Sequence, residues 1–173
     1  TTSGTTVINS DGVVAWVSGG GVAGASIYHP GSQEWVSAAL GSGGGNVIQN
    51  RDGVVSWTSG NGRVGAAVFD PFLEGWQDEQ FTVDGQVVED REGVVTWVTT
   101  SGLVGAAVYD PPIHQWRAEH LGQGDGTVVT EHGMVAWRSS AGSMNMALYE
   151  WNGNDWNHAP VGSYPGNSGP WLV

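Results

Sequence analysis

Apolar residues along this chain come in short runs separated by turn-forming residues, and no stretch sustains a helical period. Four runs make a unit, and the unit recurs four times. Run a is Val7-Ile8, Val47-Ile48, Val87-Val88 or Val128-Val129. A turn such as Ser10-Asp11-Gly12 or Arg51-Asp52-Gly53 leads to run b. Run b reads Gly12-Val13-Val14-Ala15-Trp16, then Gly53-Val54-Val55-Ser56-Trp57, Gly93-Val94-Val95-Thr96-Trp97 and Gly133-Met134-Val135-Ala136-Trp137. Asp-Gly between two apolar runs is a tight-hairpin signal, because Gly takes φ > 0 without steric cost. A Gly-rich loop leads to run c (residues 25–28, 66–69, 106–109 and 146–149). Run d starts at a second Trp series, Trp35, Trp76, Trp116 and Trp156. Both Trp series recur at spacings of 41, 40 and 40 residues. The pattern predicts an all-β chain of four repeats, about 5–44, 45–84, 85–125 and 126–162, followed by a linker and C-terminal strand over 163–173.

Strand faces predict how the repeats combine. In run b, Val13, Ala15 and Val17 point one way while Val14 and Trp16 point the other, so the strand must be covered on both sides. Run d is polar after its Trp, as in Gln77-Asp78-Glu79. A four-stranded sheet covered on both faces, with a polar outer strand, predicts a four-bladed β-propeller built from four repeats of about 40 residues. Trp16, Trp57, Trp97 and Trp137 are expected to be equivalent and buried between blades. The segments Tyr28-His29-Pro30 to Trp35, Phe69-Asp70-Pro71 to Trp76, and Tyr109-Asp110-Pro111 to Trp116 resemble the kelch repeat. The Asp-Gly turn into a hydrophobic strand is also similar to kelch, over about residues 5–160. The diglycine that ends strand b in kelch is replaced here by Trp16-Val17, Trp57-Thr58, Trp97-Val98 and Trp137-Arg138. The resemblance implies a single propeller domain over 1–173 that serves as a binding scaffold.

Composition narrows the function. With 17 acidic residues, five Arg, no Lys and a net charge of −12, the chain repels phosphate backbones and anionic membranes, so neither nucleic acid nor membrane insertion is expected. No Cys is present, which excludes disulfides, a thiolate nucleophile and the Cys–Tyr copper centre of some kelch-type oxidases. A start at Thr1 reads as a processed chain or excised domain, and a chain poor in Lys and Cys but rich in Gly, Thr and Ser leans extracellular or cell-surface.

Few motifs look chemical. Gly19-x-Gly21-x-x-Gly24 and Gly60-x-Gly62-x-x-Gly65 match a dinucleotide-binding spacing, but each precedes a strand where that chemistry needs a helix. Gly166-Asn167-Ser168-Gly169-Pro170 resembles a serine-protease segment and reads better as linker. The five His fall at different repeat phases without a ligand pair, so no metal site is assigned. Asp11, Asp52, Glu89, Asp90, Glu92 and Glu131 would ring one channel mouth, where a divalent cation is conceivable, although a solvated acidic rim explains them; no cofactor is expected.

What breaks the repeat is most informative. The c–d loops carry Phe72, Leu73, Ile113 and Trp151, large apolar residues that the repeat core does not need. These four are the candidate ligand-binding residues. The expected function is a non-catalytic binding or adhesion module, a scaffold for protein–protein interaction. A carbohydrate-binding, lectin-like propeller is the alternative, and a glycoside-active enzyme the third reading. The partner is a protein or a glycan. A ring that closes within one chain, hence a monomer, is favoured over closure by two chains. Pro170-Trp171-Leu172-Val173 is expected to dock, on a blade edge or on a neighbouring molecule.

Overall fold

The structure, a computed structural model, describes residues 4–41 and 47–163. Sheet 1 contains β1 (Gly4–Ser10), β2 (Val13–Ser18), β3 (Ala23–His29) and β4 (Glu34–Gly41). Sheet 2 contains β5 (Val47–Arg51), β6 (Val54–Thr58), β7 (Val64–Asp70) and β8 (Gly75–Thr82). Sheet 3 contains β9 (Gly85–Arg91), β10 (Val94–Thr99), β11 (Leu103–Asp110) and β12 (Gln115–Gln123). Sheet 4 contains β13 (Val128–Glu131), β14 (Met134–Arg138), β15 (Ser143–Glu150) and β16 (Asp155–Ser163). Every sheet is an antiparallel meander in chain order, so the all-β class and the four four-stranded repeats are present as the pattern predicts.

Each first hairpin turns on two residues with positive φ. These are Asp11-Gly12, Asp52-Gly53, Glu92-Gly93 and His132-Gly133, at φ 51–53° for the first residue and 74–78° for the second. Two positive φ values make a type I′ turn, whose twist matches that of the flanking strands.

The sheets stack in sequence, and each junction has its own core. Val13, Ala15, Val17, Ala25 and Leu40 of sheet 1 pack on Ile48, Val55, Trp57 and Ala67 of sheet 2. Val54, Val64 and Ala66 of sheet 2 meet Val95, Trp97, Ala107 and Trp116 of sheet 3. Val94, Val104, Val108 and Leu121 of sheet 3 meet Val135, Trp137, Tyr149 and Trp156 of sheet 4. In run b the second Val and the Trp, such as Val55 and Trp57, face the preceding sheet and the first Val, such as Val54, the following sheet, which is why both faces are apolar.

A bulge strengthens each junction. The c–d pairing skips one residue at the same point in every sheet: Leu40, Phe81, Leu121 and Val161 have no partner across the ladder. A bulge redirects a side chain, and here it delivers an apolar residue to the next sheet's first Trp. Phe81 stacks on Trp97 with centroids 5.0 Å apart and planes 17° off parallel. Glycine opposite Trp16, Trp57 and Trp97 makes room for the ring, whereas Asn145 stands opposite Trp137. A Cβ at Gly65 would lie 2.4 Å from Trp57 Cζ2, and one at Gly105 would lie 2.2 Å from Trp97 Cε2.

Two expectations need correction. Trp57, Trp97 and Trp137 are buried, but Trp16 is only half-buried, because it faces the side where a preceding sheet would stand. Nor do the sheets close: among the described residues, the substantial contacts run from sheet 1 to 2, 2 to 3 and 3 to 4, and none of that extent joins sheet 4 to sheet 1. The C-terminal residues Pro170-Trp171-Leu172-Val173 and the Gly166–Pro170 segment lie outside the described residues.

Candidate functional site

In an antiparallel meander the a–b and c–d turns emerge at the same end, so all candidate tip residues share one end of the stack. The a–b turns form its inner edge. Asp11 Oδ2 accepts the Asp52 N–H (3.1 Å), and Asp52 Oδ2 accepts the Glu92 N–H (2.7 Å). Acids in these turns therefore tie one sheet's hairpin to the next. Among the described residues, no group of three or more His, Asp or Glu converges as a metal site.

The outer edge is built by Asp70. Its Oδ1 accepts the N–H groups of Phe72 (2.8 Å) and Leu73 (3.1 Å), an Asx-type turn that holds both side chains outwards. Its Oδ2 accepts the Tyr109 hydroxyl (2.5 Å) and meets His114 Nδ1 (2.6 Å), both from sheet 3. Burial would raise this carboxyl's pKa, but the hydrogen bonds from Tyr109, His114, Leu73 and Phe72 outweigh it and hold the group well below the usual carboxylate range. Asp110 repeats the arrangement one sheet on. Its Oδ2 accepts the Tyr149 hydroxyl (3.0 Å) and, with the Asn154 amide nitrogen turned towards it, a second donor at 3.2 Å. Burial, then the Asp110 hydrogen bond and charge, push the Tyr149 hydroxyl up to about 12.

Three of the four candidate residues are exposed: Phe72 at 78%, Trp151 at 55% and Leu73 at 46%. Ile113 is half-buried in the sheet 3 turn, where its N–H donates to Asp110 O, so it is only partly available. Phe72 lies flat on His114 of the neighbouring turn (4.9 Å, 16°), and Trp151 stands edge-on to Tyr149 (4.9 Å, 84°). Between the two edges runs a groove of about 280 Å³. Val68, Val108 and Leu148 contribute apolar surface, Tyr109, Tyr149 and Trp151 aromatic surface, and Asp52 and Glu92 the acidic rim.

The sequence reading found the tips but not the groove. Its aromatic lining comes from Tyr109 and Tyr149 of run c together with the tip residue Trp151, and its rim from Asp52 and Glu92, acids expected at a channel mouth. The phased sets Leu40, Phe81, Leu121, Val161 and Asn50, Asp90, Thr130 were visible at the repeat spacing, and they mark the junction contacts. Asp90 is fully buried, with Ser56 Oγ donating to its Oδ2 at 2.9 Å. Desolvation, eased by Ser56 and worsened by the Asp52 charge, pushes its carboxyl up to about 7. No protein-family model matches the chain, and no curated protein is similar to it.

Proposed function

We propose that the chain is a non-catalytic binding module of kelch-like, propeller type, which uses the turn-bearing end of its sheets to hold a protein partner. The observation that carries this reading is the exposure of Trp151 at an apolar groove edged by Asp52 and Glu92, with Phe72 and Leu73 exposed at the same end of the sheets. Apolar residues held out by backbone hydrogen bonds, rather than folded onto the core, support a contact surface. The acidic rim and the net charge of −12 favour a partner that inserts a large apolar side chain flanked by Arg or Lys. The repeat provides a scaffold of sheets for c–d turns that differ from one unit to the next. A chain without Lys or Cys supports an extracellular or cell-surface setting.

A peptide-display selection on the immobilised protein tests this. It should enrich sequences that join a bulky apolar residue to Arg or Lys. The triple variant Phe72→Ser, Leu73→Ser, Trp151→Ser should lose them while melting within a few degrees of wild type. Peptides that bind the variant equally well would contradict the reading. A carbohydrate ligand is the second reading, because Trp151 and Tyr149 beside Asp52 and Glu92 pair aromatic surface with hydroxyl-accepting carboxylates. Glycan-array binding lost in Trp151→Ser would decide for it.

A further inference from the structure

The contacts between consecutive sheets recur so regularly that they say what the two unpaired faces lack. The sheet 2–3 and 3–4 junctions have three parts, and the sheet 1–2 junction sets His29 beside Phe69 in place of the second. The second Trp of one sheet donates its indole N–H to the carbonyl just after the equivalent Trp of the preceding sheet: Trp76 to Val36 O (3.0 Å), Trp116 to Gln77 O (2.9 Å) and Trp156 to Arg117 O (3.2 Å). The run c Tyr donates to the acid of the preceding sheet, Tyr109 to Asp70 and Tyr149 to Asp110. The first Trp receives the preceding sheet's bulge residue, as Trp97 receives Phe81.

Among the described residues, sheet 1 presents the receiving half of this contact with nothing before it. Trp35 is 58% exposed, Tyr28 46% and Val7 64%, while Trp16 is half-buried; their counterparts in sheets 3 and 4 are buried or half-buried. Ser26 and Ser37 on the same face hydrogen-bond each other, so their hydroxyls do not oppose apolar contact. Among the described residues, sheet 4 presents the giving half with nothing after it. Glu150 stands where Asp70 and Asp110 stand, the Asn157 carbonyl follows Trp156, and the bulge residue Val161 is 55% exposed. Around them are Met146 and Leu148, both exposed, and the half-buried Met134 and Met144. All three methionines of the chain thus sit on this one face, and Met adapts to an incoming surface better than any other apolar residue.

We infer that sheet 1 of one copy of this chain packs on sheet 4 of a second copy. Trp35 meets the Asn157 carbonyl, Tyr28 meets Glu150, and Val161 covers Trp16. The interface continues the Trp-to-carbonyl contact made at all three junctions inside the chain and the Tyr-to-acid contact made at two of them. It is heterologous, with different faces on the two sides, so two copies that each use both faces close an eight-sheet ring. The inference does not depend on what the groove binds.

Sedimentation equilibrium over a concentration series tests it. Wild type should weigh twice 18.1 kDa. Trp35→Arg damages only the sheet 1 face and Val161→Arg only the sheet 4 face. Each alone should associate at least about 30-fold more weakly while keeping its β-sheet circular dichroism. Mixed together, they should form a 1:1 pair, because each retains the face that the other has lost. A wild-type protein of single-chain mass at 100 μM would overturn the inference, whether the chain closes on itself or its C-terminal residues 164–173 cover the faces. Association of Val161→Arg with itself, or failure of the mixture to pair, would overturn it by showing a face-to-like-face contact. Open polymers that Trp35→Arg terminates would support the sheet 1–sheet 4 contact and overturn the closed ring.

Discussion

Asp90→Asn should stabilise the protein at neutral and higher pH, and the size of the effect follows from where Asp90 sits. The carboxyl is completely buried at the sheet 2–sheet 3 junction, one oxygen accepting from Ser56 while Oδ1 has no hydrogen-bond partner among the described residues. Its pKa rises from 3.8 to about 7 in the folded protein. A group whose folded pKa lies above its unfolded value gives its full stabilisation below the unfolded pKa and loses it as pH rises through the folded one. Folding stability should therefore fall from about pH 4 to about pH 7 and then level off. At about 1.4 kcal/mol per pKa unit, the complete loss has a ceiling of about 4 kcal/mol, of which roughly 2.5 kcal/mol falls between pH 5 and pH 8. Asn is already accepted at the equivalent place one sheet earlier: Asn50 Nδ2 donates to Val13 O at 2.9 Å and to Ile8 O at 3.4 Å. Asn at position 90 keeps the shape, removes the charge and can donate to the matching carbonyls of sheet 2. Urea unfolding of both proteins at pH 5 and pH 8 is the assay, read at constant m-value. The five histidines contribute equally to both proteins, so the difference isolates Asp90. The variant should gain on wild type by roughly 2 kcal/mol between the two pH values. A gap that is the same at pH 5 and pH 8, or a variant weaker at pH 8, would refute the reasoning.

Asp70→Asn should cost about 1–3 kcal/mol at pH 7, because one carboxylate serves four donors there. The Asp70 pKa is depressed, so its stabilisation is present above about pH 4 and lost as pH falls further, and the gap between variant and wild type should shrink in acid; a constant gap contradicts this. Gly105→Ala should destabilise by about 2–3 kcal/mol through the collision of its methyl group with the Trp97 ring, whereas an unchanged melting temperature would show that the ring can move. The triple tip variant Phe72→Ser, Leu73→Ser, Trp151→Ser should melt close to wild type; a fall of ten degrees or more would make these residues packing rather than contact.

The all-β class and the four repeats were legible because a period of about 40 residues carries two Trp series and a hairpin signal, and each repeat resolves into one sheet. The exposed tips were legible for the opposite reason, as apolar residues out of phase with the repeat. Three features were hidden. The bulge that aims Leu40, Phe81, Leu121 and Val161 depends on pairing register, which single-strand alternation does not reveal. Asp70 reads as part of an Asp-Pro turn, and only geometry shows it joined to Tyr109 and His114 of the next sheet, some 40 residues on. Trp16 shares the Gly-Val-Val-x-Trp pattern of Trp57, yet its burial differs, because burial belongs to the neighbouring sheet and, among the described residues, the first sheet has none before it.

The central claim is that one contact pattern joins each sheet to the one before it and, among the described residues, leaves sheet 1 open on that side. Fluorine NMR of 5-fluorotryptophan-labelled Val161→Arg, assigned with single Trp→Phe variants and exposed to a soluble paramagnetic agent, measures this most directly. Trp35 and Trp151 should broaden strongly and Trp16 partly, while Trp57, Trp97, Trp116, Trp137 and Trp156 stay sharp. Equal protection of Trp16, Trp35 and Trp57 in this single-chain variant would contradict the account.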